Sequence, residues 1–356
     1  MKTMHIKRNI RLTGVLLILT LTHFTGQSEE WKVSKKKEIK QSFSLSPGDL
    51  LNVDNKYGHI TITHWEKNEV AIHVVAESKA DSESRAREAL DNIQIELTKS
   101  GNTVYGITSV KSNRGWGNRM PTIHYYITMP SSLAASLSIR YGNINLPEKN
   151  EGKYNLEIKY GNLKAGSFTE SANIDAEYSQ ITLGDVKDLR METKHCGSVN
   201  LTNSRTAYIN SKYSNIRLHN AEKLVIDNAY GNIQIEHANS ISIEMKYGDV
   251  RIESVKEELN ISSLSHSSMT VKKLDDNFKN VNAESHHSTL KLSVSPQAAF
   301  RISAEAMNHG QVNISGLKIT DSKIENKTNY YYRINGGDSR VVHFEGNHST
   351  LKITAL

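Results

Sequence analysis

Four short stretches, RYGNI at 140–144, KYGNL at 159–163, AYGNI at 229–233 and KYGDV at 246–250, repeat one order of aromatic, glycine, small polar residue and aliphatic. A catalytic motif is needed once, so a pattern that returns at a steady interval points to architecture. Anchoring on the aromatic gives Tyr141, Tyr160, Tyr178, Cys196, Tyr213, Tyr230, Tyr247, His266, His287, His309 and, after a longer gap, His348, with Tyr57 as an earlier, separate copy. Nine steps cover the 168 residues from 141 to 309, a mean period a little under 19.

Three residues after each anchor the chain is apolar, as at Ile144, Leu163, Ile216, Ile233 and Leu351, and five residues after it is apolar again, as at Leu146, Leu218, Ile235 and Ile353. Alternation with period two marks strand residues that face one interior. The residue after the anchor is Gly or Ser, which predicts a bend with Gly tolerating positive φ or a close approach. The next is often Asn, at 143, 162, 215 and 232, which suits an amide ladder between repeated turns. One repeat alone cannot offset its backbone entropy, so the repeats are expected to stack into a continuous rod. The expected fold is all-β, a single β-solenoid of about eleven short rungs. Near 189–201 one extra residue intrudes, read as a β-bulge that puts either His195 or Cys196 in the aromatic column.

The N-terminus is read apart from this. Lys2, Lys7, Arg8 and Arg11 precede an apolar run from Leu12 to Phe24, the pattern of a signal peptide over 1–28 with the mature chain exported. Of 44 Lys and Arg, the four in the leader leave 40 against 38 Asp and Glu, so the mature chain is nearly neutral. That removes the concentrated basic face nucleic-acid binding requires. The single cysteine, Cys196, permits no intramolecular disulfide and no Cys-based metal site.

Residues 29–130 lack the short period and predict a β-rich cap with one helix near 81–92, flanked by strands such as VAIHVVAE and TIHYYITMP. Residues 131–356 form the repeat region, with an insertion near 317–346 where Asn335, Gly336, Gly337 and Asp338 are expected to turn a hairpin. Cap and hairpin would blunt the open ends of the stack, so the chain is expected to be a monomer.

With SPGDLLNVDNKYGHITI at 46–62, YYITMP at 125–130 leading into LSIRYGNINL, the YGN rungs and the glycine-containing hairpin before a short last rung, the chain resembles the adhesin domain family of secreted bacterial β-solenoids, related to the head GIN type. The resemblance covers nearly all of the mature chain and carries fold more than activity; it supplies no catalytic residue. This chain departs from the family pattern in having Ser at several bends and His in the later anchors.

The function expected is that of a non-catalytic adhesin-like surface for an envelope protein or glycan, in the periplasm, on the outer cell surface or secreted. The alternative is a carbohydrate-active β-helix enzyme, which needs carboxylates converging in a groove bordered by long loops. The repeats leave little room for such loops, and Asp175, Asp185, Asp227 and Asp249 fall at different phases, so no enzyme activity and no cofactor is expected. A binding tip is expected at Arg114, Trp116 and Arg119, where an aromatic stands between two glycines. The structural ladder is expected from Tyr141, Tyr160, Tyr178, Tyr213, Tyr230, Tyr247, His266, His287, His309 and His348. Shared metal ligation by the histidines is the sharper reading of the column, but no carboxylate or Cys recurs beside them, so stacked imidazoles are expected and no metal. The histidine turns are expected to loosen first in mild acid.

Overall fold

A computed structural model describes residues 33–111 and 120–356. The expected leader at 1–28 lies outside the described residues. Among the described residues the chain is all-β with one helix, Glu83–Asp91, and no helix there is long and apolar enough to cross a membrane.

From Ala134 onward, successive repeats pair in parallel. Ile181 lies beside Val199, Val199 beside Ile216, Ile216 beside Ile233 and Ile233 beside Val250, each one repeat further along the chain. Each turn contributes a short strand after its anchor, such as Gln180–Leu183, and a longer one before the next, such as Val186–Lys194. Two outer faces result, and the space between them is filled by the alternating aliphatics: Leu163, Ile181, Ile216 and Ile233 are all buried, as are Leu183, Leu218 and Ile235 five residues after their anchors. At about 1.5–3 kcal/mol for each buried aliphatic the core is extensive, yet each turn depends on its neighbours for its strand hydrogen bonds.

The order in space departs from the order in sequence at both ends. The strand Leu50–His64 lies between Ala134–Asn145 on one side and Thr103–Val110 and Thr122–Met129 on the other. Glu69–Ala80 then adds antiparallel to Thr122–Met129, and Val33–Ser44 antiparallel to Glu69–Ala80 as the outermost strand. That edge carries Lys35, Lys36, Lys37 and Lys40, a charge density that discourages pairing with another chain. The helix packs over the last two strands, its N-terminus capped by the Ser82 hydroxyl accepting from the Arg85 N–H at 3.4 Å.

At the other end the final turn is not the last in the stack. Val341–Asn347 pairs in parallel with Asn280–His286 on one side and with Phe300–Asn308 on the other, and Thr350–Ala355 lies likewise between Thr289–Val294 and Gln311–Ser315. The chain leaves a gap, builds the turn beyond it, and returns to fill the gap. The hairpin also differs from expectation. Its strands are Ile319–Glu325 and Asn329–Ile334, so the turn lies at Asn326 and Lys327, both at positive φ, rather than at Asn335–Asp338. Those four residues connect the hairpin to the returning strand, and Asn329–Ile334 closes the long face by pairing antiparallel with Phe300–Asn308.

Candidate functional site

The anchors form one exposed column that runs the length of the stack. From Tyr57 the rings follow in the order Tyr141, Tyr160, Tyr178, His195, Tyr213, Tyr230, Tyr247, His266, His287, His348, His309, with centroids 4.7–5.4 Å apart and every pair stacked. Three points differ from the sequence reading. Tyr57 stands at the head of the column rather than apart, because the helix and the end strands are inserted between it and Tyr141. His195, not Cys196, occupies the bulged turn. His348 sits between His287 and His309, because the last turn is inserted.

All twelve anchors have φ between 50° and 60°. Left-handed backbone costs a residue with a Cβ about 1–2 kcal/mol, so this conformation normally selects Gly or Asn. Here stacking on both faces offsets it, at about 0.5–1.5 kcal/mol for each ring contact. The strand ladder also continues through the corner, since the anchor N–H donates to the carbonyl preceding the next anchor, as from Tyr178 to Lys194 and from Tyr213 to Ala229. The glycine after the anchor is there for close approach, not for positive φ. A Cβ on Gly161 would lie 1.6 Å from the Gly142 carbonyl oxygen. Where Ser replaces Gly the hydroxyl bridges turns: Ser214 Oγ donates to the Lys212 carbonyl at 3.0 Å and accepts from the Cys196 N–H at 3.0 Å.

Cys196 therefore takes the inward position of the Gly/Ser series, where its Sγ donates to the Ala176 carbonyl at 3.4 Å. Burial pushes its thiol up, which keeps it protonated and unlike a nucleophile. The Asn series links turns as well. Asn143 Oδ1 accepts from the backbone and side chain of Asn162 at 2.9 and 3.0 Å, and Asn215 Oδ1 accepts from the Asn232 N–H at 3.1 Å.

Because each ring covers its neighbour's face, the column offers solvent mainly edges and phenol hydroxyls. Tyr160, Tyr213 and Tyr247 are each about half exposed. A sugar stacking face-on is thereby excluded along most of its length. The column histidines are exposed too; His64 and His124, half-buried at the opposite end, have imidazoles that burial pushes down. Among the described residues no group of three or more His, Cys, Asp or Glu is placed to hold a metal ion.

The sequence reading missed a row of carboxylates on the longer strands. Glu157 lies in register beside Asp175, and Asp175 beside Glu192, each three residues before its anchor. Burial, with the neighbouring carboxylates, pushes the Asp175 carboxyl up, while Lys159 sits 3.5 Å from Glu157. Counting back from Tyr160, Tyr178 and His195 finds this row once the bulge is placed. Asp227, three before Tyr230 and in register beside Glu244, shares this phase, contrary to the sequence reading, whereas Asp185 and Asp249 do not. Arg114, Trp116 and Arg119 lie outside the described residues.

No family model and no curated protein matches the chain. Among solved structures, a candidate cell-adhesion protein from Clostridium sporogenes is 12% identical, aligned over 90% of this chain and 100% of its own, at a TM-score of 0.20. A candidate adhesin from Parabacteroides distasonis is 10% identical over 89% of this chain and 97% of its own, at 0.34. A candidate lipid-binding protein from the same species is 11% identical over 88% and 96%, at 0.27. At these scores the likenesses assign this chain neither a fold nor an activity.

Proposed function

We propose that the chain is an exported, monomeric, non-catalytic β-solenoid whose turns are marked by the twelve stacked anchors, and that it presents its long faces, adhesin-like, to an envelope or extracellular partner. One observation supports this above others. From Lys149 to Leu274 no connection between strands exceeds three residues, so both faces run without any loop rising over them. Hydrolytic sites usually hold their reacting groups in a recess screened from bulk solvent, and loops usually build it. Long, flat, polar faces suit extended contact. The test is binding of residues 29–356 to intact cells and isolated envelope, with size-exclusion chromatography across concentrations. Saturable binding by a monomer is expected, and absence of binding to every envelope fraction contradicts the proposal.

A second reading is favoured by the carboxylate row. Asp175, pushed up between Glu157 and Glu192, has the paired character of an acid and a base in glycoside cleavage. The row lines a shallow depression of about 380 Å³ on the strand face, with no loop walling it. New reducing ends released from a polysaccharide panel, and lost in Asp175→Asn, would establish it.

A further inference from the structure

We propose that a groove along the second corner of the stack binds a neutral, linear glycan; this rests on the proposed role as a binding surface and names the class of partner. The groove encloses about 750 Å³ where the short strand of each turn passes into the long one, and its walls come from the seven successive turns between Ser167 and Asp275. Six steps of strand spacing make it about 30 Å long. Its direction is along the stack, across the strands. An extended peptide lying in it cannot add to a sheet edge through its backbone, so recognition there depends on side chains.

Those side chains form a row of paired donors and acceptors. Asn203 Nδ2 donates to Asp185 Oδ1 at 2.6 Å, and Asn220 Nδ2 donates to Asn203 Oδ1 at 2.6 Å. Further along, His237 Nδ1 and Ser254 Oγ are 2.7 Å apart. Each of these groups keeps further donor or acceptor capacity toward the groove. A ligand that both donates and accepts at every step of its own repeat matches such a row, and the hydroxyls of a sugar chain do both. Between the walls the floor is low, because Ser204, Ala221 and Ala238 stand where bulkier side chains would fill the space.

Charge decides against an anionic polymer. Four cations and three carboxylates line the groove, so they nearly cancel. Two of the cations already have partners: Arg205 contacts both oxygens of Asp188 at 2.7 Å, and Lys187 lies 3.7 Å from Glu170. A polyanion gains from a concentrated excess of free cations, which this groove does not have.

The test is calorimetric titration of residues 29–356 with cellohexaose, xylohexaose, mannohexaose and chitohexaose, beside heparin and polygalacturonate. At least one neutral hexasaccharide is expected to bind, at least tenfold tighter than its own disaccharide, because the groove spans several sugar units. Asn203→Ala/Asn220→Ala is expected to weaken that binding at least tenfold with melting unchanged; should it fold poorly, His237→Ala serves in its place. Binding of the polyanions alone overturns the proposal. So does failure of every neutral hexasaccharide, or equal affinity in the variants. Binding to envelope fractions is measured on the same samples: if it persists while the glycans fail, the groove assignment falls and the binding role stands, whereas loss of both removes the role itself.

Discussion

Replacing Tyr213 by alanine and by glycine separates the two forces balanced at each corner of the stack. Its ring lies 4.7 Å from His195 and 4.8 Å from Tyr230, nearly parallel to both. Losing the two contacts costs about 1–3 kcal/mol in either variant, at about 0.5–1.5 kcal/mol for each. The variants differ in the backbone, which holds φ at 54°. Alanine retains a strain of about 1–2 kcal/mol there. Glycine is relieved of it, at an ordering cost of about 0.5–1 kcal/mol relative to alanine. The glycine variant is therefore expected to be the more stable by about 1 kcal/mol, the reverse of the order inside an ordinary strand. Urea unfolding followed by circular dichroism reads both differences in the midpoint, provided the slope is unchanged. An alanine variant as stable as the glycine variant would refute the balance of strain and stacking, and a wild-type-like alanine variant would show that the stacking contributes nothing.

The close approach of successive turns predicts opposite outcomes at two glycines: Gly161→Ala places a Cβ 1.6 Å from a carbonyl oxygen, whereas a Cβ on Gly197 meets nothing within 4 Å. Melting should fall by the equivalent of about 1–3 kcal/mol in the first and stay within about 0.5 kcal/mol in the second; equal losses would contradict the register at the bend. Mild acid should loosen the N-terminal end first. Burial sets the folded imidazole pKa values of His64 and His124 below the unfolded value of about 6.5, and the ring of His59, 4.8 Å from His124, acts in the same direction. The folded chain then binds fewer protons, so this stability is full above about pH 6.5 and declines as pH falls through and below it. Hydrogen exchange across Leu50–His64 and Thr122–Met129 should show less protection at pH 5 than at pH 7.5, and unchanged protection would oppose the assignment.

The all-β character and the alternation of buried aliphatics were legible because both follow from a period of two inside a longer period, as the buried Ile216 and Leu218 show. The bulge was legible for the same reason: Val199 counts back to Cys196 while Leu189 and Met191 count forward to His195. Choosing between the two needed three dimensions, since only the ring of His195 can continue the column while the smaller thiol fits the inward bend. Positive φ at the tyrosines was hidden by the adjacent glycines, which attract that assignment on local grounds; only stacking between turns makes an aromatic tolerable there. The place of the last turn was illegible for a different reason. The periodic signal of NHSTLKI at 347–353 says that it stacks, but a slot between His287 and His309 is created by contacts remote in sequence. The carboxylate row Glu157, Asp175 and Glu192 was within reach, and it escaped notice because only aspartates were compared for phase, while two of its three members are glutamates.

The architecture rests on parallel turns closed by a final turn that enters out of sequence order, and disulfide formation tests this most directly. Lys291, Lys352 and Asn313 are exposed and follow one another in register across three neighbouring strands. In a Cys196→Ser background, Lys291→Cys/Lys352→Cys brings together positions on adjacent strands, about 4.8 Å apart and within disulfide reach, whereas Lys291→Cys/Asn313→Cys spans two strand spacings, roughly 10 Å and beyond it. Under mild oxidation the first pair is predicted to close an intramolecular disulfide and the second to remain reduced. Closure of the 291–313 pair with the 291–352 pair left open would mean that the turns stack in sequence order, contradicting the inserted last turn.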